Sequence, residues 1–226
     1  MSDYSERPAQ YASAPCFAHE LTCTENGFVA VDEETVRDVN RWRRAERDRL
    51  IKARPADPAE RRRMTEQIVA GLNAVLAELR DPVVSVYWPM KGEPDLRPWM
   101  RQLAEQGVRV ALPVVETKKQ PMIFRQWTPQ AKLVPGIWDI PVPAEGAVLT
   151  PDVVVSPLVG FDAACYRLGY GGGDFDRTLA AMTPRPLVVG VGYGRTAIAT
   201  IFPLPHDIPM DRIITEAAPA IVRQTE

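Results

Sequence analysis

Between residues 64 and 79 the apolar positions Met64, Ile68, Leu72, Val75, Leu76 and Leu79 are spaced mainly by three and four. That period lays one apolar stripe along a helix. Its start is marked by Asp57-Pro58-Ala59-Glu60, a capping carboxylate, a proline at the first helical position and a glutamate three residues after the cap. Upstream, residues 32–54 are dense in Arg, Glu and Asp with few breakers, which predicts an exposed helix laced with ion pairs. Downstream the period changes. Residues 83–90, 109–115, 153–158 and 187–193 are short β-rich apolar runs. Helical segments are predicted between them, at residues 96–106 with Gly107 as the stop and again after Asp174. Continuous apolar strands separated by helices imply a mainly parallel sheet buried on both faces, an α/β fold. In such sheets ligands gather at the carboxyl ends of the strands, and Glu93, Asp162 and Gly194 each follow one of these runs.

Bulk properties narrow the picture. The chain has 226 residues, enough for one domain with a full core, and no internal repeat. Residues 1–34 are polar, aperiodic and punctuated by Pro8 and Pro15, so they read as an extension or disordered leader before a single domain over residues 35–226. With 27 basic and 29 acidic residues the net charge of −2 proposes no nucleic-acid or anionic-membrane partner. The apolar runs fall far short of the roughly 18 residues a membrane helix needs, and no obligatory protein partner is evident. The N-terminus lacks a basic start followed by an apolar stretch, and three cysteines without metal spacing suit a reducing compartment, so the cytoplasm is expected. Cys165 reads as a small buried residue and His206 as structural or solvent-facing.

The densest chemistry lies in residues 160–177, GFDAACYRLGYGGGDFDR. Gly169, Gly171, Gly172 and Gly173 let the backbone fold back and present N–H groups closely to a ligand, as phosphate-cradling loops do. The stretch lacks the Gly-Lys-Ser/Thr of a P-loop and the glycine spacing of the dinucleotide fingerprint. Taken alone it is also compatible with a tight strand-to-helix turn. Glu93 alone reads as an ordinary solvated loop acid, and Trp88 as core.

Four segments in order resemble the 5-formyltetrahydrofolate cyclo-ligase (methenyltetrahydrofolate synthetase) family: Tyr87 to Glu93 (YWPMKGE), Met122 to Trp127 (MIFRQW), Phe161 to Arg177, and Leu204 to Glu216. The resemblance spans about residues 36–216. It implies a three-layer αβα fold of the NagB/RpiA/CoA-transferase-like kind. It also implies an enzyme, an ATP-dependent carbon–nitrogen ligase that converts 5-formyltetrahydrofolate to 5,10-methenyltetrahydrofolate with release of ADP and phosphate. The reactants are small molecules, a reduced folate and ATP as co-substrate, with Mg²⁺. The γ-phosphoryl group passes to the formyl oxygen, the neighbouring side-arm nitrogen attacks, and phosphate departs, so the protein mainly positions reactants and neutralises charge.

By the same resemblance Arg167 and Glu93 are the catalytic residues. Arg43, Arg167, Leu168, Gly169, Tyr170, Gly171, Gly172, Gly173 and Phe175 contact ATP; Trp88, Met90, Glu93, Tyr170 and Asp174 contact the folate; Asp176 and Asp207 hold the metal. Two departures stand out. Val39 occupies the place of a lysine that the family often carries four residues before the arginine matched by Arg43, so Arg43 carries over and the lysine does not, unless Arg41 or Arg44 supplies the charge from a shifted register. Asp174 replaces a tyrosine and would repel triphosphate unless Mg²⁺ or an arginine intervenes. They leave room for an alternative, a noncatalytic or substrate-shifted paralogue that binds a nucleotide and a folate-like heterocycle.

Overall fold

The computed structural model describes residues 33–224 and, before them, the backbone of two short antiparallel strands, β1 (Thr22–Thr24) and β2 (Gly27–Val29). Apart from that hairpin and the first two residues of α1, the extension expected over residues 1–34 lies outside the described residues. Two helices follow, α1 (Glu33–Lys52) and α2 (Pro58–Leu76). Asp57 caps α2 as its sequence predicts, its carboxylate accepting from the N–H groups of Ala59 at 3.0 Å and Glu60 at 3.2 Å.

The remaining elements alternate. In order they are β3 (Val83–Ser85), α3 (Arg97–Glu105), β4 (Arg109–Val114), β5 (Ile123–Trp127), a small hairpin of β6 (Leu133–Pro135) and β7 (Pro141–Pro143), and β8 (Val153–Pro157). Then come a second hairpin of β9 (Gly160–Phe161) and β10 (Arg167–Leu168), α4 (Asp174–Ala181), β11 (Leu187–Val191), β12 (Arg212–Ile214) and β13 (Ile221–Val222). Seven strands form one sheet in the order β13-β12-β11-β8-β3-β4-β5. The five central strands are parallel and the two edges, β13 and β5, pair antiparallel.

The two-residue alternation of the strands divides the core. Val153, Val155, Val189, Val191 and Ile214 pack with Ile68 and Leu72 of α2 and with Trp99, Met100 and Leu103 of α3. Val154, Val188 and Ile213 face the other side and pack with Leu179 of α4. The sheet is therefore covered on both faces, which is why its strands read as unbroken apolar runs. Among the described residues no helix is long and apolar enough to cross a membrane.

Two expectations need correction. The strand predicted over residues 83–90 stops at Ser85; one further ladder bond, from Val86 N–H to the Ala111 carbonyl at 3.0 Å, ends the pairing. Beyond it the chain leaves the sheet through Trp88 and Pro89, a residue that has no N–H to donate. α1 is not simply exposed. Its outward face carries the ion pairs Asp38–Arg41 and Glu46–Arg49, but Val39, Arg43, Ala45 and Leu50 are buried. Leu50 joins Val159, Leu168 and Ile201 in a third core that locks α1 onto the β9–β10 hairpin.

Gly160 is what permits that approach. A Cβ there would lie 2.5 Å from the Leu50 Cδ1 and 3.2 Å from the Thr196 carbonyl oxygen. Gly160→Ala is therefore expected to destabilise the protein by about 1–3 kcal/mol through overpacking. Thermal denaturation should show this as a midpoint lowered by roughly 2–12 °C; an unchanged midpoint would mean that α1 is not held at this point.

Candidate active site

Loops from three parallel strands and one helix meet at the carboxyl edge of the sheet. After β3 the chain makes a tight turn, with Lys91 at φ +49° and Gly92 at φ +76°. In that turn the Glu93 N–H donates to the Met90 carbonyl at 3.0 Å and the Met90 N–H donates to Glu93 Oε2 at 2.9 Å. Glu93 is only 5 % exposed, so it is not the solvated acid its composition alone suggests. Among the described residues its second oxygen, Oε1, has no hydrogen bond of good geometry, and it lies near the Tyr170 hydroxyl and faces the Arg54 guanidinium at 3.8 Å. Burial pushes the Glu93 carboxyl above the ordinary carboxylate range, against the opposing pull of the Met90 N–H, Arg54, the nearby Tyr170 hydroxyl and Lys91.

Arg54 connects this turn to the glycine loop. It donates to the Lys91 carbonyl at 2.7 Å, the Tyr170 hydroxyl at 2.8 Å and the Leu158 carbonyl at 3.1 Å. Tyr170 also lies under Lys91, whose Nζ is 5.3 Å from the ring centre. The residues expected on the folate side thus include a close group, Glu93, Tyr170 and the Met90 backbone. Trp88 is half-buried against the first core, with its ring 5.5 Å from the Arg97 guanidinium.

After β8 comes the hairpin whose turn is built by Asp162. Its Oδ1 accepts from Ala164 and Tyr166 N–H groups, both at 3.1 Å, and its Oδ2 from Ile201 N–H at 3.0 Å. Asp162 therefore pins the segment after β11 to the hairpin. The glycine loop follows, with Gly171 at φ +92° and Gly173 at φ +68°, a region that residues with a Cβ avoid. Gly173 caps α4 in that left-handed conformation. Leu168 is core, and Phe175 packs on the second core with the Arg167 guanidinium 5.2 Å from its ring.

Around this loop the charges are organised in pairs. Arg167 donates to Asp176 Oδ2 at 3.0 Å, and Asp176 Oδ1 accepts from Ile208 N–H at 3.1 Å. Arg43 donates to both Asp207 oxygens, at 3.3 and 2.6 Å, and to the carbonyls of Ile201 and Phe202. Arg177 donates to Asp174 Oδ1 at 2.7 Å and to the Gly172 carbonyl. An arginine thus stands against the extra acid at position 174. His206 is exposed, 3.9 Å from Asp207.

Among the described residues neither Arg41 nor Arg44 is hydrogen-bonded to the glycine loop; Arg41 pairs with Asp38. Both are exposed, while Val39 itself is fully buried. The arginine that reaches the loop is Arg47, whose Nε donates to the Gly169 carbonyl at 2.6 Å. In the sequence Arg47 and Arg54 look like part of a charged surface and carry no motif that sets them apart. Their spacing with Val39, Arg43 and Leu50, steps of four, four, three and four, is the buried stripe of α1 and its C-terminal continuation.

Among the described residues no three His, Cys, Asp or Glu side chains cluster as a preformed metal cage. Asp176 and Asp207, each paired with an arginine, keep acceptor capacity beyond the bonds they make. They are linked through the amide of Ile208, the residue after Asp207. A carboxylate has about four lone-pair sites; Asp176 uses two and Asp207 three in the bonds described, the third being from Leu204 N–H at 2.6 Å. Mg²⁺ is commonly held by one or two carboxylates together with substrate phosphates and water.

A mostly parallel sheet with a glycine loop, a buried acid and paired arginines at its carboxyl edge defines an α/β protein whose candidate site lies at the strand ends, where such sheets bind ligands. The sequence pattern described as the 5-formyltetrahydrofolate cyclo-ligase family matches residues 39–216. The 5-formyltetrahydrofolate cyclo-ligase of Escherichia coli (strain K12) is 29 % identical over 169 residues, covering 72 % of this chain and 93 % of that protein. The solution structure of a 5,10-methenyltetrahydrofolate synthetase from Aquifex aeolicus superposes with a TM-score of 0.69 at 29 % identity, over 80 % of this chain and 92 % of that one. A 5,10-methenyltetrahydrofolate synthetase structure from Mycoplasma pneumoniae shares the fold, with a TM-score of 0.63 at 23 % identity over 77 % and 99 % of the two chains. The chain belongs to the 5-formyltetrahydrofolate cyclo-ligase family.

Proposed function

We propose that this protein closes the ring of 5-formyltetrahydrofolate to give 5,10-methenyltetrahydrofolate, using ATP and releasing ADP and phosphate. The observation that carries this reading is the bridge from Glu93 through Arg54 to Tyr170. It puts a buried, under-bonded acid next to a glycine loop, so a heterocycle and a phosphate tail can be bound side by side. Glu93 Oε1 is an acceptor without a well-placed donor, and a reduced pterin offers ring N–H groups that would satisfy it. Backbone N–H groups of Gly169 to Gly173 cradle the phosphates. Arg167, which is held in place by Asp176, orients the transferring group with charge-assisted bonds. Once the γ-phosphoryl group is on the formyl oxygen, the adjacent side-arm nitrogen attacks the formyl carbon and gives up its proton, and phosphate leaves with that oxygen and takes up the proton.

Asp176 and Asp207 would hold Mg²⁺, which when bound neutralises charge on the phosphate oxygens. Cys165, buried and unpaired with its thiol pushed up to about 11 by burial, suits a reducing compartment, and we place the activity in the cytoplasm.

Purified protein supplied with ATP, Mg²⁺ and 5-formyltetrahydrofolate should develop the near-ultraviolet absorbance of the methenyl product, whose conjugation ring closure extends. Omission of ATP or addition of EDTA should abolish the rise. Binding of both ligands without any rise would instead establish the noncatalytic paralogue.

A further inference from the structure

We propose that Arg47, rather than Arg43 or a residue at position 39, is the cation of α1 that binds the phosphate tail of the nucleotide. Five arginines stand around the glycine loop and the turns beside it, and four of them already face a carboxylate: Arg43 faces Asp207, Arg54 faces Glu93, Arg167 faces Asp176 and Arg177 faces Asp174. Arg47 differs. Its Nε donates to the Gly169 carbonyl, and among the described residues its two Nη groups donate to no acceptor. The guanidinium lies against the loop itself: a Cβ on Gly171 would stand 3.3 Å from Cζ and 3.4 Å from each Nη. Gly171 thus leaves room for the close approach of this charge, since a Cβ there would press on the guanidinium. Half-buried, and one helical turn from Arg43, Arg47 has its cationic form disfavoured first by burial and then by that neighbour; Asp207 and Asp48 only partly offset this, and Arg44 adds to it. An arriving polyphosphate removes that deficit, since a planar fork with free donors is suited to bidentate contact with phosphate oxygens.

The geometry also accounts for the valine at position 39. A residue there faces the core, fully buried, whereas position 47 faces the loop. The charge expected one turn before Arg43 is supplied one turn after it.

This inference rests on the glycine loop being the triphosphate site, and its test separates the two. Binding of a non-hydrolysable ATP analogue and of AMP would be measured by calorimetry on the full chain, alongside the KM values for ATP and the folate. Arg47→Ala should weaken the analogue, and raise the KM for ATP, by about tenfold to a hundredfold, the span of one charged hydrogen bond. AMP affinity and the KM for the folate should not move, and Arg47→Lys should recover part of the loss. If Arg47→Ala does not fold, Arg47→Gln keeps the apolar stem and a donor to the Gly169 carbonyl, and the same weakening is expected. Unchanged affinity for the analogue, or an equal loss for AMP, overturns the assignment. Wild-type protein that binds the analogue but forms no methenyl product would sink the cyclo-ligase reading while the effect of Arg47 still decides this one. Wild-type protein that binds no analogue would sink both.

Discussion

Glu93→Gln is expected to lower kcat/KM for 5-formyltetrahydrofolate by at least about a hundredfold, the scale of removing one pre-positioned polar contact from a reacting site, while leaving the fold at neutral pH as stable as before or more so. Both effects have one origin. Glu93 is almost wholly buried and one of its oxygens has no hydrogen bond of good geometry, so ionisation is disfavoured and the carboxyl titrates above its ordinary value near 4.5. Between the unfolded and folded values the native state holds more protons than the unfolded one. Stability therefore falls as pH rises through that window, the reverse of a salt-bridged carboxylate. Glutamine fills the same volume without that cost. Arg54 keeps three acceptors when the charge is gone, the carbonyls of Lys91 and Leu158 and the Tyr170 hydroxyl. The stability gain should shrink as the solution is acidified through that window and vanish below the ordinary glutamate value, where wild-type Glu93 is protonated in both states. Paired thermal melts at neutral and acid pH, with product absorbance as the activity readout, check both halves. A Gln variant that turns over normally, or that melts well below wild type at neutral pH, would show that Glu93 is a structural ion-pair partner of Arg54 and no part of the folate site.

The features that were legible beforehand are those governed by local rules. The Asp57 cap, the apolar stripe of α2, the Gly107 stop and the parallel strands follow from capping, period and burial within a few residues. The glycine loop was visible because only a few residue types permit its backbone. What could not be read was who pairs with whom. Arg43 and Asp207 are 164 positions apart, and nothing in the composition of either segment distinguishes that match from Asp207 acting alone. The buried stripe of α1 is hidden in the sequence for a related reason. Arginine is polar by type, yet its aliphatic stem packs like an apolar residue while its head finds partners at the far end. Once Arg43 and Arg47 are counted with Val39 and Leu50, one buried stripe appears, and Arg41 and Arg44 fall on the solvent side.

The buried pair at Arg43 sets up the largest stability effect. Arg43→Ala is expected to cost about 3–5 kcal/mol, because it strands Asp207 with its charge inside the protein. Arg43 is only 5 % exposed and makes four hydrogen bonds, two to Asp207 and one each to the Ile201 and Phe202 carbonyls. Every one of them ties α1 to the segment after β11. Asp207 would retain the Leu204 N–H as a donor, too little to hold a carboxylate charge away from water. At roughly 2–4 °C per kcal/mol for a chain of this size, the melting midpoint should drop by about 6–20 °C. Removing the aspartate as well should return part of that loss: in Arg43→Ala/Asp207→Ala no charge is stranded, so the double variant should melt above the sum of the two single effects. Additive losses would mean that the two side chains do not interact across the loop. Activity separates the roles further. Since Arg43 is already neutralised, its loss should act on ATP binding through displacement of the whole segment, raising the KM for both substrates, whereas Arg47 acts on ATP alone.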